Sequence, residues 1–103
     1  MKNERQNRFE ELKQEGDVAF EAQRYKNALQ CYSDALEINK EDASLYSQKA
    51  LVNIILRNYD EVIIDSNKAI KIDPLITQAH CSKATALYNQ LAGTETAKTY
   101  KVR

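Results

Sequence analysis

The sequence repeats itself at a step of 34 residues. Tyr25 and Tyr59 stand one step apart, and the same step relates Ala35 to Ala69. Two further apolar pairs keep this step, namely Leu36 with Ile70 and Ile38 with Ile72. A fixed step of this length is typical of a solenoid of helix–turn–helix units. Because one helical hairpin cannot bury its own apolar face, such units must stack. The repeat therefore predicts an all-α protein built from stacked helical hairpins.

Small residues recur at the same step. Gly16, Ala50 and Ala84 stand in the first half of successive units, where we expect the two helices of a hairpin to cross closely. Ala35 and Ala69 stand in the second half, where a small side chain lets that helix pack against the next unit.

Larger residues also keep the step. Leu12, Tyr46 and His80 share one position, which predicts a packing role for each and a partly buried, structural role for His80. Tyr25 and Tyr59 are expected to begin the second helix of their units and to fill the corner between helices.

Composition supports helices and disfavours nucleic-acid or membrane binding. The chain has 2 glycines and 1 proline, too few for a turn-rich β fold. Its 15 basic residues balance 15 acidic ones, so no basic face for nucleic acid or anionic lipid is expected. The apolar run Leu51–Leu56 is too short to span a bilayer, and the charged Met1–Gln14 segment does not resemble a signal peptide.

The chain has two cysteines, Cys31 and Cys81, which are far apart and show no CxxC spacing. We interpret them as reduced thiols of a cytoplasmic protein, with a disulfide or metal site as the alternative. With a single histidine they form a poor ligand set, so no metal or other cofactor is expected.

The residues at repeat positions resemble the tetratricopeptide repeat (TPR) family. The matching positions are Leu12, Gly16, Ala28, Tyr32 and Ala35 in the first unit and Tyr46, Ala50, Ala69 and Pro74 in the second. Lys40, Asn53 and Ser66 depart from the pattern, standing where proline and two aromatic residues are expected. The resemblance implies a right-handed α-solenoid of antiparallel hairpins, forming a single domain over 1–103. Its units are 9–42, 43–76 and an incomplete or degenerate 77–103, about two and a half to three in all.

The pattern predicts helices over 4–22, 25–38, 43–56, 59–71 and 75–90, and a short sixth helix from about 94. Asp42 and Asp73 are expected to cap the helices that follow them, and Pro74 suits a helix start. Ala97 and Tyr100 fall one residue late, which indicates an insertion in the third turn. A solenoid needs capping elements at its ends, so we interpret the chain as a fragment of a larger adaptor or co-chaperone-like protein, or one whose last seam a partner covers.

The resemblance also implies a binding site, because the first helix of each TPR hairpin lines a concave groove. Such a groove presents a ladder of side chains to an extended peptide or a helix. The residues carried over to it are Lys13, Asp17, Phe20, Ser47, Gln48, Leu51, Ile54, Ile55, Gln78, Cys81, Ser82, Thr85 and Tyr88.

One branch of the family, the co-chaperones, holds acidic chaperone tails with a carboxylate clamp of two lysines, two asparagines and an arginine. Here only Lys13 matches, while Asp17, Gln48, Gln78 and Ser82 stand at the other clamp positions. Lys13 and Asp17 are spaced i, i+4, so they are expected to pair. Because charge-assisted bonds hold a carboxylate about twice as strongly as neutral ones, clamp-type binding is expected to be absent or weak.

The rest of the predicted groove is apolar. A helix has room for one core stripe, so at least one of Leu51, Ile54 and Ile55 is expected to face the groove. The sequence thus predicts a protein or peptide partner, either a chaperone or a mostly neutral, hydrophobic segment such as a helix.

No catalytic constellation is recognisable. Cys31 is expected to be a core thiol away from the groove, and Cys81 has no base near it, since its neighbour His80 points elsewhere. The sequence favours a non-catalytic adaptor. A structural element that self-associates, or packs on a fixed subunit through its groove or open last seam, is the alternative; a catalytic domain elsewhere in a longer protein is a third option.

Overall fold

The computed structural model describes the backbone of residues 3–102 and the side chains of residues 3–92. This part of the chain forms five helices, which are α1 (Glu4–Glu21), α2 (Tyr25–Ile38), α3 (Ala43–Ile55), α4 (Tyr59–Ile72) and α5 (Thr77–Val102). The all-α prediction is confirmed, and the predicted bounds of the first four helices hold to within one residue. No described helix is long and apolar enough to cross a membrane.

Two tight turns repeat the same backbone geometry. Gln23 and Arg57, one 34-residue step apart, both have φ of 63°. After α1, the Gln23 and Arg24 N–H groups donate to Phe20 and Ala19, with N···O distances of 3.0 and 2.8 Å. After α3, the Arg57 and Asn58 N–H groups make the equivalent bonds. This Schellman pattern satisfies the last carbonyls of each helix and turns the chain back into an antiparallel hairpin.

The hairpins stack in chain order. α1 packs on α2 and α3 packs on α4, while α3 also contacts α2 and α5, and α5 lies against α4. The first helices α1, α3 and α5 contribute to one face of the stack. The core lies between the first and second helices of the hairpins and includes the fully buried Ala28, Ala35, Ala50, Val52, Val62, Ala69, Ala79 and Ala86.

The first hairpin closes around one large side chain. Tyr32 on α2 is fully buried, and its ring lies directly against Gly16 on α1. A Cβ atom at Gly16 would be 2.5 Å from Tyr32 Cε1 and 2.7 Å from Cδ1. Gly16 is therefore required because the tyrosine ring occupies the space of a methyl group.

The second hairpin has a polar interior. Asp65 on α4 is 1% exposed and accepts a hydrogen bond from Asn53 Nδ2 at 3.2 Å. Lys49 Nζ lies 3.6 Å from Asp65 Oδ1, and Asn58 Nδ2 donates to Asn53 Oδ1 at 3.3 Å. Burial raises the pKa of Asp65, with Glu61 adding to the rise and Lys49 and Asn53 opposing it. Of the two departures from the family pattern in the second unit, Asn53 is part of this polar network, whereas the Ser66 hydroxyl is buried without a hydrogen-bond partner among the described residues.

The last hairpin differs from its prediction. A separate sixth helix from about 94 is wrong, because α5 continues to Val102; the side chains of Ala97 and Tyr100 lie outside the described residues. Since no second helix packs on this face in the described part, Ala84 and His80 are exposed and do not take the expected close-crossing and packing roles. His80 Nε2 instead lies 2.8 Å from the Pro74 carbonyl oxygen.

Of the two predicted caps, one is confirmed. Asp42 is the N-cap of α3 and accepts from the Leu45 N–H at 3.1 Å. Asp73 does not cap α5, which begins at Thr77. Its carboxylate accepts from the Leu75 N–H at 3.2 Å, so Asp73 and Pro74 shape a turn ahead of the helix.

We expect Gly16→Ala to destabilise the protein by about 1–2 kcal/mol, measured by urea unfolding followed by circular dichroism. In an ordinary helix interior this exchange stabilises by about 1 kcal/mol, but here the new methyl group overlaps the Tyr32 ring. In a Tyr32→Leu background, where the ring is absent, the same exchange should be neutral or stabilising. A stabilising effect of Gly16→Ala in the wild-type background would contradict this packing.

Candidate functional site

Two adjoining clefts follow the face formed by α1, α3 and α5. The larger, about 520 Å³, is lined by Asp17, Phe20, Glu21, Gln48, Leu51 and Gln78. The smaller, about 290 Å³, is lined by Lys13, Asp17, Ser44, Leu45, Ser47, Gln48, Ile76 and Gln78. Because Asp17, Gln48 and Gln78 line both, the clefts form one continuous surface, which we call the groove. The sequence did not predict four of these lining residues, namely Glu21, Ser44, Leu45 and Ile76. Of the four, only Glu21 could have been predicted, because it lies one helical turn after Asp17.

Lys13, the one residue that matches the carboxylate clamp, is already paired with a carboxylate of this chain. Lys13 Nζ lies 3.2 Å from Asp42 Oδ2 and 5.4 Å from the centroid of the Phe9 ring. The predicted pairing of Lys13 with Asp17 is wrong, because the α3 cap brings a half-buried carboxylate closer to the ammonium. Burial alone would raise the pKa of Asp42, but bonds from the Ser44 hydroxyl, the Leu45 N–H and Lys13 lower it. A ligand carboxylate must therefore compete with Asp42 for Lys13.

A relay of hydrogen bonds crosses the groove floor. Gln78 Nε2 donates to Gln48 Oε1 at 3.2 Å, and Gln48 Nε2 donates to the Tyr32 hydroxyl at 3.5 Å. The Tyr32 hydroxyl then donates to Asp17 Oδ1 at 2.6 Å. Burial, reinforced by the bond to Asp17, raises the pKa of Tyr32, so it remains a donor. The relay joins α5, α3, α2 and α1 in one fixed order.

The apolar wall of the groove consists of Phe20 and Leu51, both half-buried. Phe20 is held by an edge-to-face contact with Tyr25, with ring centroids 5.7 Å apart. Of the three apolar residues of α3 that were predicted as candidates for the groove, Leu51 lines the larger cleft. Ile54 packs against the core of the second hairpin, and Ile55 is 41% exposed outside both clefts.

The remaining predicted groove residues are dispersed. Ser82 is 4% exposed and belongs to the core, which corrects its placement on the groove surface. Ser47 is 2% exposed, yet it lines the smaller cleft. Cys81, Thr85 and Tyr88 are exposed on α5 beyond the two clefts, and the Thr85 hydroxyl donates to the Cys81 carbonyl at 2.9 Å.

Cys31 lies away from the groove, as expected, but it is half-buried and is not a core thiol. It lines a separate cleft of about 650 Å³ between the outer faces of α1 and α2, beside Val18 and Ala22. Burial, with the carboxylates of Glu15 and Asp34, raises the pKa of this thiol, which disfavours a reactive thiolate. Among the described residues no group of three or more His, Cys, Asp or Glu side chains could hold a metal ion.

Comparison with known proteins agrees with this architecture. A family model described as TPR repeat matches residues 16–53, and one described as Tetratricopeptide repeat matches residues 43–74. Together the two matches cover more than half of the chain. The chain belongs to the tetratricopeptide repeat family.

The similar proteins include one named as a co-chaperone. The Hsp70/Hsp90 co-chaperone CNS1 of Saccharomyces cerevisiae is 33% identical over 97 residues, which is 88% of this chain and 25% of that protein. The Protein SGT1 homolog of Oryza sativa subsp. japonica is 34% identical over 76 residues, 74% of this chain and 21% of the relative. The chain thus spans about a quarter or less of the length of these relatives. Among solved structures, the TPR2B-domain:pHsp70-complex of yeast Sti1 is 36% identical with a TM-score of 0.75, and the match covers 88% of this chain and 70% of that chain.

We expect the free energy of unfolding of Asp42→Asn to depend less on pH in the acidic range than that of the wild type. Because the pKa of Asp42 is lowered on folding, its stabilisation is present above its ordinary pKa of about 3.9 and is lost as pH falls through the lowered value. Asparagine keeps the N-cap bond but removes the titration. Urea unfolding between about pH 2 and pH 5 measures the effect, and Glu37→Gln, an exposed carboxylate on α2, serves as control. Equal pH dependence of wild type and Asp42→Asn would contradict the assigned pair.

Proposed function

We propose that this chain is a non-catalytic module that binds a peptide segment of a partner protein in the groove formed by α1, α3 and α5. The observation that carries the proposal is the continuity of the two clefts. Three helices from three successive units contribute to them, and the relay from Gln78 to Asp17 fixes the spacing of those helices. A preformed groove of this kind is suited to an extended or helical segment.

The relatives favour a partner from the chaperone machinery. One is named an Hsp70/Hsp90 co-chaperone, and a solved TPR domain of similar sequence is described as an Hsp70 complex. We infer the same class of partner here, and with it a cytoplasmic location. The mode of binding must differ from a full carboxylate clamp, because Lys13 is paired with Asp42 and the other clamp positions carry no cation.

A second function, self-association, is favoured by the open face of α5. Leu87 and Leu91 are 47% and 62% exposed there, and His80 and Ala84 lie on the same stripe. Sedimentation at increasing protein concentration separates the two functions. A monomer over the micromolar range supports the groove as the working site, whereas a stable dimer supports assembly.

The proposed function is tested by selecting peptides from a random display library on the full chain and titrating the best binders into ¹⁵N-labelled protein. We expect chemical-shift changes concentrated on groove-lining residues of α1, α3 and α5, and loss of binding in Leu51→Lys. Ile64→Lys, at an exposed isoleucine on α4, is the matched control and should bind normally. Peptides that shift only α2 and α4, or that bind Leu51→Lys unchanged, would overturn the proposal.

A further inference from the structure

The larger cleft carries an unbalanced charge. Its described lining holds two carboxylates, Asp17 and Glu21, and no cation. The one lysine of the adjoining cleft, Lys13, is neutralised by Asp42. Acidic ligands are therefore repelled from the middle of the groove, and cationic ones are attracted.

The direction of the relay strengthens this preference. A carboxylate offers only acceptors, so the Tyr32 hydroxyl must donate to Asp17. The Tyr32 oxygen then accepts from Gln48 Nε2, and Gln48 presents its oxygen to Gln78 Nε2. Outside these three bonds, Asp17 Oδ2 and Gln78 Oε1 remain as acceptors, and each glutamine amide keeps one further N–H. A carboxylate clamp presents cationic donors, whereas the described lining of the larger cleft combines neutral amides with two carboxylates.

A buried hydroxyl lies beside this floor. Ser47 is 2% exposed and lines the smaller cleft together with Asp17 and Gln48. Its Oγ has no hydrogen-bond partner among the described residues. Ser66 Oγ, in the interior of the second hairpin, is also buried without a partner among the described residues, so the unpaired Ser47 hydroxyl belongs to the wall of the cleft and is not itself a ligand contact.

From these observations we propose that the groove selects an apolar peptide segment that carries a lysine or arginine. The cationic group docks between Asp17 and Glu21, and the neighbouring apolar side chain packs on Phe20 and Leu51. Peptide N–H groups donate to the acceptors of the floor. This inference rests on the proposed function and specifies the chemistry of its ligand as cationic and apolar, in contrast to an acidic chain terminus.

The test uses three fluorescent peptides with one leucine-rich sequence, blocked at both ends, that differ only in carrying two lysines, two glutamines or two glutamates. Anisotropy titration at low salt should show the lysine peptide binding about fivefold more tightly than the glutamine peptide, and the glutamate peptide binding most weakly. The lysine advantage should shrink as salt is added, because exposed charges are screened.

The matched variants isolate the two carboxylates. In Asp17→Asn/Glu21→Gln the lysine advantage should disappear. The fold is retained because the introduced asparagine side chain can still accept from Tyr32, and a thermal melt checks this. Glu37→Gln/Glu61→Gln removes the same charge from exposed positions on α2 and α4 and should retain the full advantage.

The outcomes separate this inference from the function on which it rests. Equal or tighter binding of the glutamate peptide, or a lysine advantage that survives in Asp17→Asn/Glu21→Gln, overturns the inference. If library-selected peptides occupy the groove but are acidic, the inference fails while the proposed function stands. If no peptide of any charge shifts groove residues, the proposed function itself fails.

Discussion

The contact between the Tyr32 ring and Gly16 ties the core of this protein to its surface. The ring fills the space between α1 and α2 so closely that no Cβ atom fits at Gly16. The hydroxyl at the far end of the same side chain lies beneath the groove and donates to Asp17, which lines it. Burial of the ring therefore fixes the position of a polar atom directly beneath the functional face. The orientation of Gln48, and through it of Gln78, follows from that one atom because a hydroxyl that donates to a carboxylate can only accept from its other neighbour.

The second unit has the same backbone geometry as the first but different interior side chains. Ala50 and Ser66 hold the positions of Gly16 and Tyr32, so a small pair replaces the glycine–tyrosine pair. The interior volume is instead occupied by Asn53 and Asp65, which satisfy each other and draw Lys49 inward. The 34-residue step thus conserves helix positions and turn geometry, as at Gln23 and Arg57, while the chemistry of each hairpin interior is free to change.

Sequence reasoning succeeded where the cause is local or periodic. Helix α2 begins and ends where the pattern predicts. The buried positions of Gly16 and Ala50 follow from the repeat, and that of Tyr32 from the resemblance to the family. It failed where a residue depends on a distant element. His80 and Ala84 were assigned packing roles that require a sixth helix. The described part of the chain contains no such helix, because α5 continues instead.

In the groove, too, the sequence predicted local positions but not contacts with distant residues. The pattern placed Lys13, Asp17, Gln48 and Gln78 on one face, but their partners could not be read from it. Lys13 reaches a carboxylate 29 residues away, and Gln78 bonds a side chain 30 residues away. Helical spacing gives Lys13 a neighbour at Asp17, while the stacking of the units gives it a closer one.

The polar interior of the second hairpin has a consequence for motion. Asp65 is buried with a raised pKa, so folding favours its protonated form, and stability of the hairpin that contains α3 is lost as pH rises through the raised pKa. In a solenoid, each unit opens with its own free energy, modified only by its neighbours. Backbone amides of α3 and α4 should then exchange with solvent through local opening events that leave α1 and α2 intact. Because α3 supplies the middle wall of the groove, the ligand site is complete only when this hairpin is closed, and occupancy of the groove should slow amide exchange in α3 and α4.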